Sequence, residues 1–228
     1  MPRILYRDET GKRIPSVTTI LGRMKDSGGL LNWAWDLGLQ GKDLNEERKK
    51  AADSGTVAHD MIEGHILGNG PYTVPTQDEE ILAKARKGYQ GFLEWQKVTN
   101  VTIDVTEVSL VHDYLGFGGT LDARGRKEDG SRVLLDWKTS NRIYGDYILQ
   151  LAAYKYLWEH GRMNDPEAEA PEDLGEKISD CYILRFDKED GSFHWHTYPE
   201  ETMNDAVKFF TELQVPTYHG LKKYDKAA

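Results

Sequence analysis

The chain has one cysteine, Cys181, among 228 residues. That excludes an internal disulfide, an all-cysteine zinc site and a cysteine-ligated iron–sulfur cluster, each of which needs at least two thiolates. No apolar run approaches the roughly 20 residues of a bilayer crossing, and Met1 to Lys12 is polar and mixed in charge, unlike a signal sequence. Neither secretion nor a membrane partner is expected, and a reducing cytoplasm suits the lone thiol. Positive charge is also in deficit: 29 basic against 38 acidic residues leave a net charge of −9. This is the wrong sign for a protein that coats duplex DNA with its whole surface, so any contact with nucleic acid must be local. Internal repeats and low-complexity tracts are missing too, and element boundaries must come from turn residues and hydrophobic period.

What is present suffices for a core. Hydrophobic residues make up 39% of the chain and aromatic residues 11%, and the length suits one domain over 1–228. Ser16 or Thr18 can cap a short helix over Val17 to Met24, and a Gly28-Gly29 break leads to a second helix over Leu30 to Leu39. A third helix starts at Asp53 or Ser54, carries Val57, Met61, Ile62 and Ile66 at helical spacing, and ends at Gly68, Gly70 and Pro71. A longer helix covers Asp78 to Val98. The period then changes from 3.6 to 2, predicting strands over Val101 to Val111, Tyr114 to Gly125 and Arg132 to Thr139, with turns at His112-Asp113 and Glu128-Asp129-Gly130. A helix over Asp146 to His160, an acidic loop with six carboxylates over Asp165 to Glu176, strands Ile178 to Phe186 and Phe193 to Tyr198, and a helix over Glu200 to Leu213 complete the chain. The order predicts an α+β (α/β) fold with a central mixed sheet of about five strands flanked by helices.

The sharpest chemical feature is Leu134-Leu135-Asp136-Trp137-Lys138-Thr139. An apolar strand there delivers a carboxylate and an ammonium two residues apart, hence on one face, and exposed at the strand end. Folding the preceding hairpin about its turn places Asp122 opposite Asp136. Directly opposed side chains have β-carbons roughly 5 Å apart, and like charges there are destabilising unless something positive sits between them. The same construction on the first hairpin sets Glu107 opposite Thr120, diagonal to Asp122. Oxygen-rich sites of this kind suit Mg²⁺ or Mn²⁺, which bind phosphate-bearing substrates. Lys138 stands ready to steady developing negative charge, and Gly116, Gly118 and Gly119 leave room for a ligand backbone.

Together, Gly55-Thr56-x-x-His59, Gly119-x-x-Asp122, Asp136-x-Lys138 and Gln150-x-x-x-Tyr154 closely resemble the PD-(D/E)xK nuclease superfamily. The similarity is to its RecB-like branch, which contains the RecB nuclease domain, CRISPR-associated RecB-like exonucleases, phage exonucleases and the mitochondrial genome maintenance exonuclease. It spans about residues 15 to 160 and includes the lead-in Pro15-Ser16-Val17-Thr18. The resemblance implies a restriction-endonuclease-like core over 51–215, preceded by a helical segment over 1–50 where DNA enters. It also implies metal-dependent exonucleolytic cleavage of DNA, single-stranded or end-bearing, in replication, recombination or repair. Asp122 and Asp136 would hold the metal with the Trp137 carbonyl, His59 would add a ligand, Lys138 would assist the attacking water, and Gln150 and Tyr154 would position DNA or the lysine. The iron–sulfur cysteines of some relatives are missing, and no Walker-type motif is found, so neither an iron–sulfur cluster nor ATP is implied.

Each feature also has a plainer reading. Asp136 and Lys138 can form a surface ion pair, His59 can be a solvated helix histidine, and Glu107 can be a solvent-facing strand residue. Glu63, one turn after His59, is either a second group near the ion or a surface charge. Ser16 and Thr18 are either a helix cap or a phosphate contact. Trp33 and Trp35 can stack on bases, although core packing is expected for at least one. Arg124, Arg126, Lys127, Arg132 and Arg142 cluster near the site in sequence, while much of the acidity falls in 165–176, which makes Arg124 and Arg142 candidate DNA contacts. The rival function is a nucleic-acid-binding module that keeps the fold without the chemistry.

Overall fold

The computed structural model describes residues 4–23, 28–69, 78–140 and 142–215, the side chains of 213–215 excepted. Met24, Gly70 and Pro71, expected at helix ends, lie outside the described residues. In chain order the elements are β1 (Tyr6–Arg7), β2 (Arg13–Ile14), α1 (Val17–Gly22), α2 (Gly28–Leu39), α3 (Leu44–Ile66), α4 (Glu79–Val98), β3 (Thr102–His112), β4 (Phe117–Arg126), β5 (Arg132–Lys138), α5 (Gly145–His160), β6 (Arg162–Met163), β7 (Asp180–Phe186), β8 (Phe193–Tyr198) and α6 (Glu200–Val215). Six strands form one mixed sheet in the order β6-β3-β4-β5-β7-β8, and β1 and β2 pair separately. Within this sheet β5 and β7 are the parallel pair among the described strands, and α5 lies in the connection between them. The expected mixed sheet flanked by helices is present, with six strands rather than about five. The extra strand, β6, is two residues long and carries no readable period.

β5 sits inside the sheet and is covered on both faces. Val133, Leu135 and Trp137 pack against Ile62 of α3 and Phe92 and Trp95 of α4. Leu134 packs on the other face against α5 residues such as Leu151 and Trp158, with Met203 and Phe210 of α6. Its five inner residues are therefore all buried, Asp136 among them at 0% exposure. The expectation that Asp136 would be exposed fails because the apolar run that delivers it belongs to a strand with no solvent face.

Two boundaries differ for physical reasons. α3 begins at Leu44, where the Asp43 side chain accepts bonds from the Asn45 and Glu46 amides, and not at Asp53 or Ser54. Ser54 lies within the helix and returns its hydroxyl to the Ala51 carbonyl, so a cap-forming residue type sits inside the helix without ending it. The first hairpin turns over residues 113–116, with Gly116 at φ +66°, rather than at His112-Asp113. The register therefore shifts by two, pairing Ser109 with Thr120 and bringing Glu107 level with Asp122. An even shift leaves the side-chain faces unchanged.

The glycines of β4 are packing sites. A β-carbon at Gly118 would come within 2.5 Å of the Tyr6 ring, and one at Gly119 within 2.6 Å of the Tyr154 ring. They make way for protein side chains rather than for a ligand backbone, contrary to the expectation from sequence. Gly119→Ala should therefore lower stability by about 1–3 kcal/mol through overpacking against Tyr154 and Leu157. Urea unfolding of the variant and the parent measures this; an unchanged midpoint would refute it.

Candidate metal centre

β4 and β5 pair with Ala123 opposite Leu135 and Arg124 opposite Leu134, the register expected from the hairpin. Asp122 and Asp136 thus leave the ladder at the same end. Beyond that last pair the ladder gives way to a side-chain bond, as the Trp137 amide donates to Asp122 Oδ2 at 2.7 Å. Alternation also breaks here: Leu121 packs beneath α5, while Ala123 packs beneath α3 and α4. Glu107, level with Asp122, has φ +51°, in the left-handed region that costs a residue with a β-carbon about 1 kcal/mol or more. This kink turns Glu107 toward α3.

From α3, His59 comes in over the sheet, its Nδ1 at 3.9 Å from Asp122 Oδ1. His59, Glu107 and Asp122 each offer one ligand atom within 4.8 Å of the others. A cavity of about 380 Å³, lined by these three with Gly55 and Thr56, opens onto the group. Asp136 lies outside the trio, ion-paired with Lys138, and neither of its buried oxygens accepts a well-directed hydrogen bond among the described residues. Trp137 meets the cluster through its backbone, which also bonds His59.

The electrostatics follow from crowding carboxyls in a half-dry site. Burial, then Asp122, Glu63 and Asp60, push Glu107 up to about 8. Burial raises Asp122 against Lys138 and the Trp137 amide, and raises Asp136 against the same lysine. Burial and Lys138 push His59 down to about 4, which leaves a neutral imidazole with a free lone pair for a metal. Burial pulls Lys138 down, but Asp136 and Asp122 outweigh it and keep the ammonium charged. Two carboxylates about 5 Å apart repel by roughly 3 kcal/mol at an effective dielectric near 20. Fully ionised, three carboxyls beside one lysine would carry a surplus of about two negative charges; burial raises all three, and repulsion from Asp122 adds to this at Glu107 and Asp136. The residues fit a divalent cation with hard oxygen ligands and one imidazole.

The other candidates fall elsewhere. Glu63 is outside the trio and acts on Glu107 through its charge. Gln150 donates to the Tyr154 hydroxyl at 2.8 Å, and Tyr154 is core, its phenol raised by burial and by Asp136 and Asp122. The aromatic ring beside the lysine is Tyr147, 4.9 Å from Lys138 Nζ. Sequence reasoning missed it, although 147, 150 and 154 form one helical stripe. It also missed Asp60, which follows His59 and bears on both His59 and Glu107. Ser16 caps α1 by accepting from the Thr19 amide and bonds the Thr18 hydroxyl at 3.0 Å. Ser16 lines a separate cavity of about 310 Å³. Trp35 is 71% exposed and Trp33 36%, so neither fills the core; Leu37 is the buried residue of α2.

Arg124 is not available to DNA. It is 2% exposed, ion-paired with Asp104 and Asp173, and stacked over Trp158. Arg126 and Arg132 also converge on Asp173, and Lys127 pairs with Asp180. The acidic loop is thus the partner of the basic cluster, at the end of β4 and β5 remote from Asp122. Arg142 is exposed on the loop after β5, its guanidinium over the Tyr144 ring at 4.8 Å.

Neither protein-family models nor curated proteins give a match. Among solved structures the chain is similar to SSO0001, with 16% identity over 60% of this chain and 62% of that one, under two thirds of its length, at TM-score 0.33. It is also similar to the alkaline exonuclease LHK-Exo from Laribacter hongkongensis, with 12% identity over 77% of this chain and 93% of that one at TM-score 0.35. For LHK-Exo in complex with dAMP the figures are 14%, 80% and 100% at TM-score 0.35. At such scores the likeness is loose, and no residue role is transferred from it.

The signs of the His59 and Glu107 shifts predict a pH profile for the metal-free protein. Folded His59 resists protonation, which costs stability as pH falls below about 6.5. Folded Glu107 resists ionisation, so its stabilising effect is present below the ordinary carboxyl value of 4.5 and lost as pH rises through about 8. The two slopes oppose each other below pH 6.5, and only the Glu107 slope remains above it. The metal-free melting temperature should fall between pH 6.5 and 8, Glu107→Gln should flatten that fall, and Mn²⁺ at pH 8 should raise the wild type more than the variant. A flat profile with no Mn²⁺ response would contradict the assignment.

Proposed function

We propose that the chain is a divalent-metal-dependent DNA exonuclease of the PD-(D/E)xK superfamily, in its RecB-like branch, acting on single strands or free ends. The observation that carries this reading is the His59, Glu107 and Asp122 trio set beside a buried Asp136–Lys138 pair and open to a cavity. His59, Glu107 and Asp122 would hold Mg²⁺ or Mn²⁺, with Asp136 and the Trp137 carbonyl alongside. The bound ion supplies Lewis-acid polarisation of the phosphodiester and acidification of water.

The chain's own residues do the rest. Asp136 and Asp122 keep Lys138 protonated, so Lys138 serves as a fixed positive charge for the negative charge developing on the phosphate or attacking oxygen, not as the base that takes the proton. Tyr147 confines the ammonium from the α5 side. Asp122, bonded to the Trp137 amide, is locked to the strand that carries Asp136. Arg142 is retained as a DNA contact beside the site, together with Ser16 and Thr18 along the lead-in segment.

The test is digestion of end-labelled single- and double-stranded DNA, linear and circular, with Mg²⁺, Mn²⁺ or EDTA. The wild type should degrade linear DNA only with metal and spare circles. Asp136→Asn and Lys138→Ala should each lower turnover by about 10²–10³-fold or more. DNA binding without metal-dependent cleavage would leave the non-catalytic module as the correct reading.

A further inference from the structure

A second cavity, of about 510 Å³, adjoins the metal centre and shares His59 with it. Its walls include Lys138, Thr139, Ser140, Tyr144, Tyr147 and Lys188. Lys188 comes from the turn joining β7 to β8 and had no signal in the sequence. It is half-buried, and among the described residues its Nζ donates to neutral oxygens, Ser54 Oγ at 3.2 Å and the Ala51 carbonyl at 3.3 Å. The carboxylates on either side of it are directed at other cations: Asp187 pairs with Arg185 at 2.9 Å, and Glu189 faces Lys84 at 3.9 Å. Among the described residues no carboxylate pairs with Lys188. A desolvated ammonium facing a cavity without an anionic partner is costly unless an anion arrives. Burial and the nearby Lys84 lower its pKa accordingly.

Two tyrosines also line the cavity. Tyr144 and Tyr147 meet edge to face at 5.5 Å, and Tyr147 also covers Lys138. The floor is held in place by a close approach: a β-carbon on Gly55 would lie 3.0 Å from Thr139 Oγ1, so the glycine lets α3 settle onto the strand end. Ammonium groups, hydroxyls and two aromatic rings lining one cavity match one nucleotide: an anionic phosphate and a flat base or sugar. The volume is within the range of small-ligand sites.

We propose that this cavity is a nucleotide subsite in which Lys188 holds the phosphodiester next to the one presented to the metal centre, with Tyr144 and Tyr147 against the attached nucleoside. The assignment rests on the nuclease reading for its place in the reaction, but it makes a separate claim about binding. Lys188 is a positioning residue: it grips the strand one link away from the chemistry.

Binding of a fluorescent single-stranded oligonucleotide to the metal-free full chain, followed by anisotropy across a salt series, tests it. Lys188→Gln, which keeps a donor for Ser54 and Ala51 without the charge, should weaken binding about tenfold and reduce the log–log salt slope by about 0.7, one phosphate contact on a single strand. Lys188→Arg should restore the slope. Lys97→Gln, an exposed charge outside the cavity that pairs with Glu94, should change neither, and thermal melts check that each variant is folded. With Mg²⁺, Lys188→Gln should raise KM while kcat stays within about twofold. Wild-type affinity and slope in Lys188→Gln, an equal loss in Lys97→Gln, or no binding by the wild type would each overturn the subsite. Failure of the wild type to cleave DNA would overturn the nuclease reading while the binding series still decides the role of Lys188.

Discussion

The organising constraint is a surplus of negative charge placed where water is scarce. Glu107, Asp122 and Asp136 gather at one end of the central strands, with Lys138 beside Asp136 and Asp122, and burial raises all three carboxyls. Such a cluster works against folding unless a positive group offsets it. The structure offsets part of it with the lysine and part with the Trp137 amide, and the remainder has the sign that a divalent cation would offset. The strained backbone at Glu107 belongs to the same picture, since the kink aims that side chain at the trio.

Charge is handled differently at the two ends of the sheet. At the Arg126–Arg132 end, four basic residues meet Asp104, Asp173, Glu176 and Asp180 in close ion pairs. Buried Arg124 makes that network a structural one, because removing one partner would leave a buried charge uncompensated. At the Asp122–Asp136 end the pairing is incomplete, with carboxylates crowded in one cavity and, in the next, a lysine with no carboxylate partner among the described residues. Complete pairing suits a fixed scaffold, whereas incomplete pairing of both signs side by side suits a ligand that brings a cation and phosphates together. On the proposed reading, a chain of net charge −9 would meet a polyanion through local charges, while part of its acidity is paired at the far end of the sheet.

Helix α2 departs from that economy of charge. Its exposed Leu31, Trp35 and Leu39 lie over a segment whose buried contribution is Leu37. Its amphipathic pattern is weak because apolar residues occupy all sides, and sequence period alone therefore could not decide which tryptophan faced inward.

Local chemistry made several features legible before any fold was known. Asp136 and Lys138 two apart on a strand share a face whatever the surroundings, and the Glu128 to Gly130 turn set the β4–β5 register that brings Asp122 beside Asp136. The α4 and α5 spans and the change of period near residue 100 followed from side-chain spacing in the same way. Long-range packing decided the rest. Burial of Asp136 depends on helices covering both faces of β5. The loss of Arg124 as a DNA contact depends on a loop some 50 residues away folding back onto it. Tyr147 and Lys188 reach the site only because α5 and the β7–β8 turn converge there. Backbone period and turn geometry act over a few residues and can be read along the chain, whereas desolvation and ion pairing depend on which distant groups arrive, and only the tertiary structure specifies that.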